Sequence, residues 1–124
     1  MEMIFVVDDS SINLAKADEA LSEHYDVITI LSASIMFELL EDVTPDIILL
    51  DIMMPEIDGF EALERLKSDT RYKGIPVIFL TSKNDAATEA RGFGMGVSDF
   101  IEKPFSRAVL LNRIKTVLES KDDP

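Results

Sequence analysis

Cysteine and tryptophan are absent, and one histidine, His24, stands among 124 residues. Without cysteine there is no disulfide, zinc finger, iron–sulfur cluster or thiol nucleophile. One imidazole cannot build a histidine-based metal site. His24 falls near a predicted helix end and reads as a surface residue; nothing places it beside a serine, which argues against a serine hydrolase. Long apolar runs are missing too, so no segment is expected to span a membrane. Met1–Val7 reaches Asp8 and Asp9 too soon for a signal peptide. Positive charge is scarce in the first half: residues 1–62 hold 15 acidic residues and one base, Lys16, whereas residues 63–124 hold 9 acidic and 11 basic ones. The net charge of −12 repels phosphate backbones, so nucleic acid is not an expected partner. The asymmetry reads either as solvated surface charge or as an acidic pocket answered by a basic group from the second half. A soluble, cytoplasmic, single-domain protein is expected.

What is present is alternation. Runs rich in Ile, Val, Leu and Phe recur at Met3–Val7, Val27–Ile30, Ile47–Leu50, Val77–Leu80 and, weakly, Asp99–Ile101. Helical spacing fills the gaps: Leu14, Ala17, Leu21; Ile35, Leu39, Leu40; Phe60, Leu63, Leu66; Ala86, Ala90, Phe93; and Leu110, Leu111, Ile114, Val117, Leu118. Such alternation is the signature of βα units. Ile47–Leu50 and Val77–Leu80 are apolar throughout, as central parallel strands covered on both faces should be. The fold class is therefore α/β, a doubly wound parallel sheet of five strands with five helices. Pro45, Pro55 with Gly59, Gly74–Pro76 and Gly92–Gly96 supply the breaks. Gly92, Gly94 and Gly96 imply either a marginal fourth helix or a C-cap and tight turn. Phe93, Met95 and Phe105 read as packing residues. Ser120–Pro124 is polar and is expected to fray or to begin a linker.

Chemistry gathers at the strand ends. In an open α/β sheet, ligands bind outside the carboxyl ends of the strands. Asp8 and Asp9 follow the first strand, Asp51 the third, Thr81 and Ser82 the fourth, and Lys103 the fifth. Three crowded carboxylates should have raised, coupled pKa values when empty. A hard cation relieves that repulsion, and oxygen-only ligands favour Mg²⁺. Taken singly, Asp9 is equally suited to cap the first helix.

The strings VVDDSS, ILLDIMMPEIDGFE, VIFLTS and DFIEKPF resemble, in order and spacing across nearly the whole chain, the receiver domain of two-component response regulators. The resemblance implies a flavodoxin-like strand order 2-1-3-4-5 with helices on both faces, the order for which a chemotaxis receiver is a known example. It implies a receiver domain over residues 1–120 and a tail or linker over 121–124. By position it makes Asp51 the phosphoacceptor, with Asp8, Asp9, Asp51 and the backbone carbonyl of Met53 around Mg²⁺. Thr81 becomes the switch hydroxyl, Phe100 the switch aromatic, and Lys103 the cation on the phosphoryl group, aimed inward by a cis bond to Pro104. Phe100 stands where the family often has tyrosine.

The function so implied is a phosphorylation-activated switch fed by a histidine kinase or phosphotransfer protein, acting on an output partner or domain. Physical chemistry agrees: a carboxylate that attacks phosphorus needs in-line positioning and charge neutralisation. Two side chains, Met53 and Lys83, sit where an attacking water would be oriented, and neither is suited to it, so a long-lived phosphorylated state is expected. Alternatives are a docking-only receiver, an aspartyl-nucleophile phosphatase, for which Asp51–Ile52–Met53 lacks a second aspartate, and a flavin-binding module, whose phosphate Asp8 and Asp9 would repel. Homodimerisation through the fourth and fifth helices stays open, as does whether the domain stands alone or belongs to a longer regulator.

Overall fold

A computed structural model describes residues 1–121. The elements alternate as β1 (Met3–Val7), α1 (Ser11–Leu21), β2 (Asp26–Ile30), α2 (Ala33–Leu40), β3 (Ile47–Asp51), α3 (Gly59–Ser68), β4 (Val77–Thr81), α4 (Ala86–Gly94), β5 (Asp99–Glu102) and α5 (Arg107–Lys121). The strands form one five-stranded sheet in the order β2-β1-β3-β4-β5, and every pairing is parallel. The implied fold class and strand order are those observed. α5 includes Ser120 and Lys121, where fraying was expected; residues 122–124 lie outside the described residues.

Alternate strand residues serve two cores, because successive side chains leave opposite faces of a strand. Ile4, Val6, Ile47, Leu49, Ile78 and Leu80 face Leu14, Ala17, Leu110 and Ile114 of α1 and α5. Phe5, Val7, Ile48, Leu50 and Phe79 face Met36, Leu40, Leu63 and Leu66 of α2 and α3. All five residues of β3 and of β4 are buried, as uninterrupted apolar strands require.

Each helix begins at a side-chain cap, which satisfies an otherwise unpaired N–H. Ser10 accepts from Asn13, Ser32 from Ile35, Asp58 from Glu61, Asp85 from Thr88 and Ser106 from Val109. Ser10, not Asp9, caps α1.

Two helix faces differ from the spacing argument. In α2 the inward residues are Ala33, Met36 and Leu40, while Ile35 is exposed. The run Ile35–Met36–Phe37 is apolar all round, so its phase is not fixed by hydropathy. In α4 the expected stripe Ala86, Ala90 and Phe93 is exposed, and Gly92 is the buried residue. Gly92 and Gly94 lie inside α4; Gly96 forms the turn beyond it with φ +99°. Met95 and Phe105 pack at the core margins as expected, whereas Phe93 is half-exposed. His24 is exposed in the turn after α1.

Candidate functional site

The parallel sheet brings β1, β3, β4 and β5 to one edge, and their carboxyl ends deliver Asp8 and Asp9, Asp51, Thr81 and Lys103 there. Asp8 and Asp51 are buried; Asp9 is exposed. One oxygen from each of the three carboxylates lies within 4.8 Å of the others. Lys103 arrives from the opposite half of the chain: its Nζ donates to Asp51 Oδ1 at 2.9 Å and to Asp8 Oδ2 at 3.3 Å. The Lys103–Pro104 peptide bond is cis, as the resemblance implied. Both readings of the charge asymmetry are seen: Asp8, Asp9 and Asp51 form an acidic pocket answered by Lys103, while most other acidic residues of the first half lie on the exposed surface.

Burial pushes the Asp51 carboxyl up, and the neighbouring Asp8 and Asp9 charges add to this. The hydrogen bond and charge of Lys103 oppose it, and the outcome is a pKa of about 6. For Lys103 burial disfavours the ammonium, but the hydrogen bond to Asp51 and the Asp51 and Asp8 charges outweigh it, so its pKa is raised. Near neutral pH Asp51 is therefore mostly an anion beside a firm cation. Crowded carboxylates with oxygen donors alone suit a hard divalent ion, and the cluster fits Mg²⁺ on that ground.

Asp8 is fixed by two further donors. The Ser10 N–H reaches Oδ1 at 2.9 Å and Asn13 Nδ2 reaches Oδ2 at 3.3 Å. Asn13 was not singled out from the sequence. Its signal was position: it stands one turn into a helix that starts directly after the paired aspartates. Gly59 is a second residue whose role spacing could not give. A Cβ there would lie 2.7 Å from the Asp51 carbonyl oxygen and 2.7 Å from Ile52 Cα. Glycine thus lets the start of α3 press against the strand end that carries Asp51, where the Gly59 N–H donates to Ile52 O at 2.8 Å.

Of the remaining expected residues, Thr81 and Phe100 are buried and Met53 and Lys83 are exposed. The buried Thr81 hydroxyl donates to Lys83 O at 2.9 Å and accepts from Lys83 N–H at 3.0 Å, so it is turned toward the β4–α4 loop. Met53 is 73% exposed. The Lys83 side chain is 84% exposed and its ammonium lies 3.7 Å from Asp85 Oδ2, leaning toward the α4 cap. Phe100 is buried on β5, with its ring 5.7 Å from that of Phe79. Among the described residues no helix is long and apolar enough to cross a membrane.

Comparison with known proteins finds similarity in both sequence and fold. Residues 4–115 fit the family model described as response regulator receiver domain. The chain is 37% identical over 118 residues to a probable cyclic di-GMP phosphodiesterase of Vibrio cholerae, covering 95% of this chain and 27% of that protein, so it spans little more than a quarter of that relative. It is 33% identical over 119 residues to Protein PilH of Pseudomonas aeruginosa, covering 95% of this chain and 98% of PilH. Among solved structures, the Vibrio cholerae chemotaxis protein CheY4 superposes with a TM-score of 0.90 at 25% identity, over 94% of this chain and 98% of that one.

Proposed function

Because this chain belongs to the family of response regulator receiver domains, we propose that it takes a phosphoryl group onto Asp51 from the phosphohistidine of a histidine kinase or phosphotransfer protein and answers by changing its surface. Receiver domains are generally signalling switches rather than turnover enzymes. The observation that carries the reading is Lys103 Nζ at 2.9 Å from Asp51 and 3.3 Å from Asp8, beside a third carboxylate.

An Asp51 oxygen attacks phosphorus; the phosphorus–nitrogen bond of the donor breaks, and its electron pair returns to the donor imidazole. With a pKa near 6, Asp51 is largely ionised for that attack at neutral pH. Mg²⁺, held by Asp8, Asp9, Asp51 and the Met53 carbonyl, would supply charge neutralisation for the phosphoryl oxygens. Lys103 shifts from pairing Asp51 to pairing a phosphoryl oxygen, so one cation serves both states. Asn13 and the Ser10 N–H keep Asp8 oriented. Thr81 can exchange the Lys83 carbonyl for a phosphoryl oxygen, which draws on the loop that leads into α4. Phe100, already seated inward beside Phe79, is the ring against which α4 would then move.

Met53 and Lys83 flank the site without offering a group that aligns a water and takes its proton. The phosphorylated state should be long-lived, and Met53→Asn with Lys83→Glu should speed its loss by roughly ten-fold, about 1.4 kcal/mol of barrier. Equal decay in the two proteins contradicts this role. The receiver unit is taken as residues 1–120, with a tail or linker beyond, acting in the cytoplasm on a protein partner or attached output domain, without direct nucleic-acid contact. Homodimerisation through α4 and α5 is one form that output can take.

The test is intact mass after acetyl phosphate and Mg²⁺. One phosphoryl group is expected, lost with a chelator and lost in Asp51→Asn; full modification of that variant contradicts the assignment. No phosphoryl uptake at all would favour a docking-only receiver.

A further inference from the structure

Three consecutive residues of α4 meet a single row of aromatic rings. The row runs Phe60, Phe79, Phe100, Phe93, with centroid separations of 5.3, 5.7 and 5.2 Å and tilted or edge-on planes, all within the attractive range for such pairs. It joins α3, β4, β5 and α4, and both of its ends are held by α4. The Arg91 guanidinium carbon lies 3.8 Å from the Phe60 centroid at one end, a cation–π contact. At the other end Phe93, itself an α4 residue, stacks edge-on against Phe100. Gly92, between them, is the only buried residue of the helix. A Cβ on Gly92 would sit 2.5 Å from Phe100 Cζ and 3.2 Å from Val97 Cγ1.

We propose that Gly92 is the positioning residue that keeps the inward seat of Phe100 open, and that Arg91 and Phe93 dock α4 onto the ring row only while that seat is filled. The reason is geometric. Any side chain at position 92 needs the volume the ring occupies, and the ring, unlike strand backbone, can swing away. Once Phe100 leaves, Phe93 loses its partner and the row is cut, and the Arg91 contact with Phe60 is too little to hold α4 docked without it. This deepens the proposed function and rests on its reading that α4 responds to Asp51. The seat itself can be tested without any phosphodonor.

Amide hydrogen exchange over Ala86–Gly94 in the full chain reads the docking directly. Alanine is the better helix former, so propensity alone predicts slower exchange in Gly92→Ala. The proposal predicts the opposite sign: exchange faster by roughly ten-fold or more, the scale of an overpacked contact. Gly94→Ala is the matched control, because a Cβ there meets nothing within 4 Å; it should slow exchange, by up to roughly five-fold. Phe100→Leu leaves position 92 open but cuts the same ring row, so by itself it should speed exchange to a similar extent, and adding Gly92→Ala to it should change little, because both act on one contact. Protection in Gly92→Ala equal to wild type, or losses that simply add in the double variant, overturns the proposal. Wild type with Mg²⁺ and beryllofluoride separately tests the underlying reading. If α4 is silent there, its coupling to Asp51 falls, while the contrast between positions 92 and 94 still decides the seat.

Discussion

α3 and α4 are neighbours in sequence and nearly equal in local design. α3 has 10 residues and α4 has 9. Each starts at an aspartate whose Oδ1 accepts an N–H three residues on, at 2.9 Å for Asp58 and 2.8 Å for Asp85. Each has a glutamate in its first turn and an arginine in its last, the order that suits the helix dipole. Their burial differs sharply. α3 buries Gly59, Phe60, Ala62, Leu63 and Leu66, whereas α4 buries Gly92 alone. Most helix stability in proteins comes from packing an apolar face rather than from caps and propensity. α3 is therefore part of the frame, and α4 is the more loosely seated of the two.

That contrast should appear first in stability. Leu63→Ala removes a fully buried side chain of α3 and should cost about 2–5 kcal/mol in urea unfolding. A smaller loss would mean that α3 is no better anchored than α4.

Next in size is the strand end that launches α3. With a raised carboxyl pKa, the folded state keeps a proton the unfolded chain releases. Asp51 thus weakens the metal-free fold as pH climbs from its ordinary value of 3.8 through about 6. In a chelator, Asp51→Asn should gain on the order of 1–3 kcal/mol over wild type at pH 7–8, and the gain should vanish below that ordinary value. A pH-independent difference in thermal unfolding contradicts this origin.

A third effect concerns Asp8. Asn13→Ala frees one of its oxygens from a fixing partner and should weaken Mg²⁺ binding by roughly ten-fold in calorimetry, the scale typical of such supporting contacts. Unchanged affinity would show that Ser10 and Lys103 suffice. Smallest is Phe93→Ala on α4, which should lower global stability by less than about 1 kcal/mol, since the ring is half-exposed. A loss as large as that of Leu63→Ala would erase the contrast between the helices.

The sheet and its polar edge were legible in the sequence because strand residues alternate or run apolar, and because Asp51, Thr81 and Lys103 stand at or directly beyond the strand ends. The resemblance supplied the strand order, which spacing alone could not. The face of α4 was not legible. Ala86, Ala90 and Phe93 fit the helical period, yet the contact that seats the helix is a glycine, which hydropathy cannot see. Nor could spacing reveal the turned Thr81 hydroxyl, or that Lys103 touches Asp8 across 95 residues of chain. Both depend on tertiary geometry.

A phosphoryl group on Asp51 should be read out at α4 while α3 holds still. Amide spectra with Mg²⁺, taken with and without beryllofluoride, test it most directly. Large shifts are predicted at Thr81–Asp85 and through Ala86–Gly94, with Phe60–Leu66 nearly unmoved. Shifts confined to the neighbourhood of Asp51, with Ala86–Gly94 silent, would contradict it.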